Sequence, residues 1–482
     1  MSRRGVIWIS SAVLAVGLGA ATVLAVTSHD AEGTQPGAAG ATTPATTIAP
    51  TTTVATKRTH VRPADNRPNI LLIVTDDQRI GSMSSLPTTR RIFKRGGVTY
   101  TEAYDTTPLC CPSRSSIFTG LYAHNHHVTR NDQSDRLPLR HTIQHYLHAG
   151  GYQTAIDGKY LGWGLKDPAY WDRWTVLRPP GYYKVRFNVD GQLRTIRRYS
   201  TDFIASKALE YLDYFEKKDT DPWFLYVTPN APHPPAVPEP AYKDARVPPF
   251  PNSQGFREKD RSDKPPYVQD TSINPERSRD FYKRQLRSLM SVDDLVGGIF
   301  DKMETLDEDR KTLAIFISDN GYMWGEHGLL NKRLPYTESI KAPMFARWPG
   351  HLPKGAKVDR LVANIDLAPT LVKAARVGPV KQMDGRSLFG PHVRDRMLTE
   401  YFRDVNTKKI PTWASLRTKR YQYIEYFNHA GETTFREYYN LRKDPHQLRN
   451  VLNDGVKGNE PNTRELHRRL MHDKRCKGTN CP

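Results

Sequence analysis

Three short apolar runs, at residues 70–74, 224–227 and 313–317, have the length of buried strands, and amphipathic stretches of helical length lie between them. This alternation predicts an α/β fold with a largely parallel sheet flanked by helices. Each run ends in polar residues: Thr75-Asp76-Asp77 after the first, Pro232-His233 shortly after the second, and Ser318-Asp319-Asn320 after the third. Sites in open parallel sheets form at the carboxyl ends of strands. Any one of these clusters reads equally well as a solvated turn, but two carboxylate sets at strand ends suit a hard cation held by oxygen ligands. Past residue 391 the texture changes to short runs at 399–402 and 421–426, with Phe435, Tyr438 and Tyr439 beyond them. These predict antiparallel strands in a smaller C-terminal α+β subdomain, residues 396–482, closed by a basic helix over about 463–475.

The N-terminal residues differ in kind. After Arg3 and Arg4, residues 6–26 carry no charge. A secretory apolar region needs about 7 to 15 residues and a spanning helix about 20, so residues 1–27 read as a signal peptide or a retained signal anchor. Residues 28–67 are rich in Ala, Gly, Thr and Pro, cannot bury enough apolar surface to offset chain entropy, and read as a disordered stalk. The expected arrangement is a secreted or membrane-anchored protein with its large domain, residues 68–395, outside the membrane. No N-x-Ser/Thr sequon occurs, which favours a bacterial cell surface.

With 482 residues, 38% of them hydrophobic and 25% charged, the chain has material for a sizeable core. Its 71 basic against 51 acidic residues, a formal charge of +20, favour an anionic partner. The four cysteines, Cys110, Cys111, Cys476 and Cys481, are too few for a disulfide scaffold and lack the spacing of a structural zinc site. In an oxidising compartment Cys476 and Cys481 could pair.

Residues 108–128 read PLCCPSRSSIFTGLYAHNHHV. Pro112 suits the first turn of a helix, Ile117 and Phe118 a core-facing side. Cys110 then lies just before a helix N-terminus with Arg114 one turn in, which makes an anion pocket with a sulfur at its mouth. A low-pKa thiolate is the first chemical reading and a buried structural cysteine the second.

The segment Cys110-Cys111-Pro112-Ser113-Arg114 with Thr119-Gly120 resembles the C-x-P-S-R-x-x-x-T-G signature of the type I sulfatases, in which the first cysteine is oxidised to formylglycine. The likeness runs from about residue 69 to 453 and is strongest to the N-acetylglucosamine-6-sulfatase and heparan endosulfatase branch, through His124-Asn125-His126-His127, Gly158-Lys159-Tyr160-Leu161, Met290-Ser291-Val292-Asp293-Asp294 and Asn364-Ile365-Asp366-Leu367-Ala368-Pro369-Thr370. It implies an alkaline-phosphatase-like fold. It also implies that Asp76, Asp77, Asp319 and Asn320, with the modified Cys110, hold calcium, or magnesium in its place. Arg114 then steadies the formylglycine hydrate, Lys159 and Lys332 bind sulfate, and His233 stands near the leaving oxygen. A hydrate hydroxyl attacks sulfur, and its twin allows the sulfated intermediate to collapse, which serine does not permit. Where many arylsulfatases have a histidine two residues after the lysine, this chain has Leu161. His124, His126 and His127 are therefore expected either to supply a base or to line the sugar pocket, the alternative being loop and packing roles.

The implied substrates are sulfated carbohydrate of the 6-sulfated glucosamine type and aryl sulfate, not nucleic acid. The implied modifier is a formylglycine-generating enzyme, and the N-terminal segment engages a membrane. Two rivals are a phosphoesterase or phosphonate hydrolase of the same fold, and a basic surface protein that only binds polysaccharide. Cysteine at position 110 separates the sulfatase from both.

Overall fold

The central strands are built from apolar runs whose alternate residues face opposite layers. Ile70, Leu72 and Val74 pack into one core and Leu71 and Ile73 into another. Burial on both faces is what a strand needs to sit in the middle of a helix-covered sheet. The computed structural model describes residues 65–162, 167–177, 179–217, 220–378, 380–404 and 409–482. The predicted signal or anchor and most of the predicted stalk lie outside the described residues. No helix among the described residues is long and apolar enough to cross a membrane.

The strands of the large sheet are β1 (Asn69–Thr75), β2 (Val98–Tyr104), β3 (Gln153–Gly158), β4 (Arg173–Leu177), β5 (Val185–Val189), β6 (Gln192–Ile196), β7 (Trp223–Thr228), β8 (Thr312–Ser318), β9 (Met344–Arg347) and β10 (Ala356–Ala363). Their order is β10-β2-β9-β8-β1-β7-β3-β4-β5-β6. The run from β8 through β1, β7 and β3 to β4 is parallel, while β9, β5 and β6 run antiparallel to their neighbours. All three predicted runs fall inside β1, β7 and β8. One face is covered by the Ser200–Glu216 and Pro275–Thr305 helices, which contribute Phe203, Ile204, Leu289 and Val292 to the core. The other is covered by Cys110–Thr119, Ile143–Ala149 and Leu367–Ala374, which contribute Ile117, Phe118, Leu147 and Leu371.

Four antiparallel strands come next in chain order, β11 (Met397–Tyr401), β12 (Thr412–Arg417), β13 (Tyr421–Phe427) and β14 (Thr433–Asn440). The C-terminal basic helix spans Thr463–Asp473. The small sheet shares a third core with the large one: Trp413, Tyr423 and Tyr439 pack with Tyr104, Leu109 and Tyr336. Cys476 and Cys481 form a disulfide.

Candidate active site

Parallel registry sets the site. Thr75 of β1 pairs with Ser318 of β8, so the residues just beyond each strand, Asp76-Asp77 and Asp319-Asn320, emerge side by side. The amide of Asp319 donates to the Thr75 carbonyl at 3.0 Å, and that of Asp77 to Asp319 Oδ1 at 3.1 Å. On the other side of β1, β7 leads to His233 and β3 to Lys159. Gly158 sits at φ +113°, and a Cβ there would lie 2.1 Å from the Thr228 carbonyl. Glycine at this point therefore lets the chain turn Lys159 into the site, with its amide donating to the same carbonyl at 2.8 Å.

The helix Cys110–Thr119 crosses above these strand ends with all ten of its residues buried. It is held by residues of the sequence motifs: Asn364 Nδ2 donates to Ser113 Oγ at 2.8 Å, while Asn364 Oδ1 accepts from the Thr106 amide at 3.1 Å. Its end is closed by Gly120 at φ +68°, where a Cβ would meet the Met383 side chain at 2.9 Å. The motif at residues 290–294 also positions the scaffold: Asp293 accepts from the amides of Thr88 and Thr89 at 2.9 and 2.7 Å.

Cys110 Sγ lies 3.6 Å from Asp76 Oδ1, 4.0 Å from Asp77 Oδ1 and 2.7 Å from Lys332 Nζ. Lys159 pairs with Asp76 and Lys332 with Asp77, while Arg114 Nε donates to Asp319 Oδ2 at 2.7 Å. Three buried carboxylates thus face three cations. Burial opposes ionisation of Asp76 and Asp77, but Lys159 and Lys332 respectively, together with His233, outweigh it and hold both below the ordinary carboxylate range. Burial likewise works against Lys332, and Asp77 raises it above the ordinary lysine value. For the unmodified Cys110 thiol, burial wins over the two lysines and pushes it up to about 11. The expectation of a low-pKa thiolate is therefore corrected: burial, with Asp76 and Asp319 beside it, outweighs the two lysines and holds the unmodified sulfur neutral.

Atoms of Asp76, Asp77, Cys110 and Asp319 lie within 4.8 Å of one another, a spacing that suits one ion. Asn320 Nδ2 donates to Asp77 Oδ1 at 2.7 Å. Asp77 Oδ2 and Asn320 Oδ1 are buried with no hydrogen bond. Buried oxygens are rarely left unsatisfied, and this all-oxygen set beside the sulfur fits a hard divalent cation.

A cavity of about 460 Å³ opens onto Cys110, Arg114, Lys159 and His233, within the roughly 300 to 1,000 Å³ of small-ligand sites. Leu161 lines it, so the position two residues after Lys159 presents an apolar side chain to the cavity. His233 Nδ1 lies 2.7 Å from the Pro234 carbonyl, and Nε2 is 3.8 Å from Asp77 Oδ2. Burial lowers the His233 pKa against the pull of Asp76 and Asp77.

The structure does not bring His124, His126 or His127 to this cavity. His124 Nδ1 sits 3.0 Å from Glu400 and its Nε2 3.0 Å from the Cys476 carbonyl, tying the helix region to the C-terminal sheet. His126 is fully buried against Ser116 Oγ at 3.1 Å, and burial pushes it down to about 3. His127 is exposed at the end of a short helix, at φ 65°. Neighbours on one helical turn point in different directions, which separates residues that are adjacent in sequence. Conversely, sequence reasoning missed Thr228, which accepts from Arg114; Asn131, which accepts from the Cys111 amide at 3.0 Å; and Tyr182, whose hydroxyl donates to the His233 carbonyl at 2.6 Å. Thr228 ends the second apolar run and was within reach of the strand-end argument, whereas the other two carry no sequence signal.

Residues 68–377 match the family model described as Sulfatase. The chain belongs to the sulfatase family. Residues 325–476 of this sulfatase, a sulfuric ester hydrolase, also match the model of the C-terminal region of N-sulphoglucosamine sulphohydrolase. It is 32% identical over 488 residues to the N-acetylglucosamine-6-sulfatase of Capra hircus, covering 86% of this chain and 85% of that protein. A Sulf-1 homolog of Caenorhabditis elegans is 33% identical over 362 residues, 69% of this chain, and the chain spans 50% of that relative's length. The fold matches that of BT4656, solved with its substrate D-glucosamine-2-N,6-O-disulfate, with a TM-score of 0.72, 23% identity, and coverage of 84% of this chain and 97% of the other. The doubly layered large sheet with a small antiparallel sheet is thus the sulfatase, alkaline-phosphatase-like architecture.

Proposed function

We propose that this sulfatase hydrolyses 6-O-sulfate esters of glucosamine-type sugars, using formylglycine made from Cys110 and a divalent cation, calcium or in its place magnesium, held by Asp76, Asp77, Asp319 and Asn320. The observation that carries the reading is a buried cluster of three carboxylates and three cations around Cys110, opening onto a sugar-sized cavity. The resemblance to glucosamine-6-sulfatases supports the substrate.

When in place, formylglycine supplies a hydrated aldehyde as nucleophile and the cation a positive charge against the sulfate oxygens. Lys159, Lys332 and Arg114 neutralise the ester's remaining negative charge, which otherwise repels any nucleophile. Arg114 Nη2 is buried without a partner and is free to donate. With Nδ1 committed to Pro234, His233 presents Nε2 to the cavity, and a lowered pKa makes its charged form a strong proton donor to the departing alkoxide. Leu161 and the neighbouring apolar wall exclude water and strengthen these interactions.

On the same reading the catalytic domain lies outside the cytoplasm, residues 1–27 are a signal peptide or anchor, and a formylglycine-generating enzyme is required as modifier. Aryl sulfates should also be hydrolysed in vitro, since phenolate leaves easily. Two measurements test it. The tryptic peptide holding Cys110 and Cys111 should be about 18 Da lighter than the dithiol, as a single thiol-to-aldehyde oxidation requires; Cys110→Ser should abolish that loss and Cys111→Ser retain it. A panel of sulfated sugars and nitrophenyl sulfate should show N-acetylglucosamine 6-sulfate cleaved in preference to 4-sulfated galactosamine. Cleavage of the aryl ester alone refutes the sugar assignment.

A further inference from the structure

The wall of the cavity away from the strand ends is made by the β5–β6 hairpin and the Pro179-Pro180 segment before it. In β5, Val185, Phe187 and Val189 turn into the core, so Arg186 stands on the opposite face. Registry pairs Arg186 with Thr195 and Asn188 with Leu193, which puts Leu193 diagonally across from Arg186 on the same face. Both line the cavity, and Leu193 is 58% exposed. An apolar side chain so open to solvent on a small edge hairpin has no packing role.

Arg186 is exposed, and among the described residues no ion pair or hydrogen bond holds its guanidinium. The other arginine that lines the cavity, Arg114, is engaged by Asp319. Cys110, Lys159 and Arg114 accommodate one sulfate at the inner end. Lys159 leaves β3, two strand spacings from β5, on the order of 10 Å along the sheet, so Arg186 faces the part of the substrate that extends beyond the bound ester. A planar guanidinium at such a mouth is matched to a carboxylate or a second sulfate, each of which accepts two parallel N–H bonds.

We propose that Arg186, with Leu193 beside it, forms an outer subsite that selects saccharides carrying a second anionic group in addition to the ester being cleaved. The inference rests on the sugar-sulfatase reading above. The second anion has two sources, an N-sulfate on the same ring or a uronate on an adjoining ring. Recognition there is a difference of affinities between substrates with and without that group.

The test compares kcat/KM of the modified enzyme for three substrates: N-acetylglucosamine 6-sulfate, glucosamine 2-N,6-O-disulfate, and N-acetylglucosamine 6-sulfate joined to glucuronate. The wild type should prefer at least one doubly anionic substrate over the singly anionic one. Arg186→Ala should lower that preference about tenfold, a loss of the size expected of a charge-assisted hydrogen bond, and Arg186→Lys should keep part of it. Because the readout is a ratio within one preparation, partial folding or partial modification of a variant does not affect it. The arm whose preference collapses identifies the ring that bears the anion. A preference unchanged in Arg186→Ala, or absent from the wild type, overturns the subsite while leaving sugar hydrolysis in place. Aryl ester cleavage with all three sugars untouched instead overturns the sugar reading, and the subsite with it.

Discussion

Replacing Lys332 with methionine should weaken catalysis and strengthen cation binding at the same time. Lys332 is 4% exposed, and its ammonium contacts both Asp77 Oδ1 and Cys110 Sγ. Without it the fully buried Asp77 carboxylate keeps Asn320 Nδ2 at 2.7 Å and, more distantly, His233 Nε2 at 3.8 Å. Removing one partner of a buried ion pair costs about 3–5 kcal/mol, so Lys332→Met should melt well below the wild type in a chelator. A divalent cation bound at Asp77 offsets most of that penalty in the variant, while in the wild type it competes with the ammonium. Taking about 1.4 to 2.7 kcal/mol of the difference as recovered on binding, calcium affinity should rise roughly tenfold to a hundredfold. Turnover of a sulfate ester should fall by about two to three orders of magnitude, because a preorganised charge opposite the sulfate oxygens is gone. Lys332→Arg, which keeps the charge, should keep wild-type calcium affinity. Calorimetric titration with calcium, melts with and without chelator, and steady-state turnover decide the matter. Calcium affinity that is unchanged or lower in Lys332→Met, with a chelator melt equal to that of the wild type, would show that the Lys332–Asp77 pair does not compete with the cation and would refute the reasoning.

Two further outcomes are expected. The His124 ring is raised from 6.5 to about 9, Glu400 outweighing the opposing effect of burial. A raised folded-state pKa stabilises fully below 6.5 and loses its effect as pH rises through 9, a contribution on the order of 3 kcal/mol at most. His124→Gln should therefore melt below the wild type at pH ~6 and approach it at pH ~9.5; an equal gap at both values refutes the pair's role. His233→Gln should reduce hydrolysis of a sugar 6-sulfate about a hundredfold and of nitrophenyl sulfate far less, since only the alkoxide needs a proton; equal losses on both esters, measured side by side, would remove His233 from leaving-group protonation.

The parallel sheet and the strand-end acids were legible because local periodicity carries them. An apolar run covered on both faces must be central, and the residues at its carboxyl end must emerge at the sheet's edge, so Asp76, Asp77 and Asp319 could be named from the chain alone. Cys110 and Arg114 were legible as a motif on one helix. Lys159 and Lys332 came only through family resemblance, since a lysine in a loop has no local mark that distinguishes a buried partner of a carboxylate from a solvated side chain. The histidine run shows the limit: adjacency in sequence suggested one shared role, whereas helix geometry sent His124 to Glu400, His126 into the core and His127 to solvent. Thr228, Asn131, Tyr182 and Arg186 owe their places to pairings between segments far apart in the chain, above all β5 on β4 and β3 on β7. Sequence determined which residues are apolar, which strands are buried and which chemistry is available; the order in which strands pair is nonlocal, and it decided which side chains meet at Cys110 and which line the cavity above it.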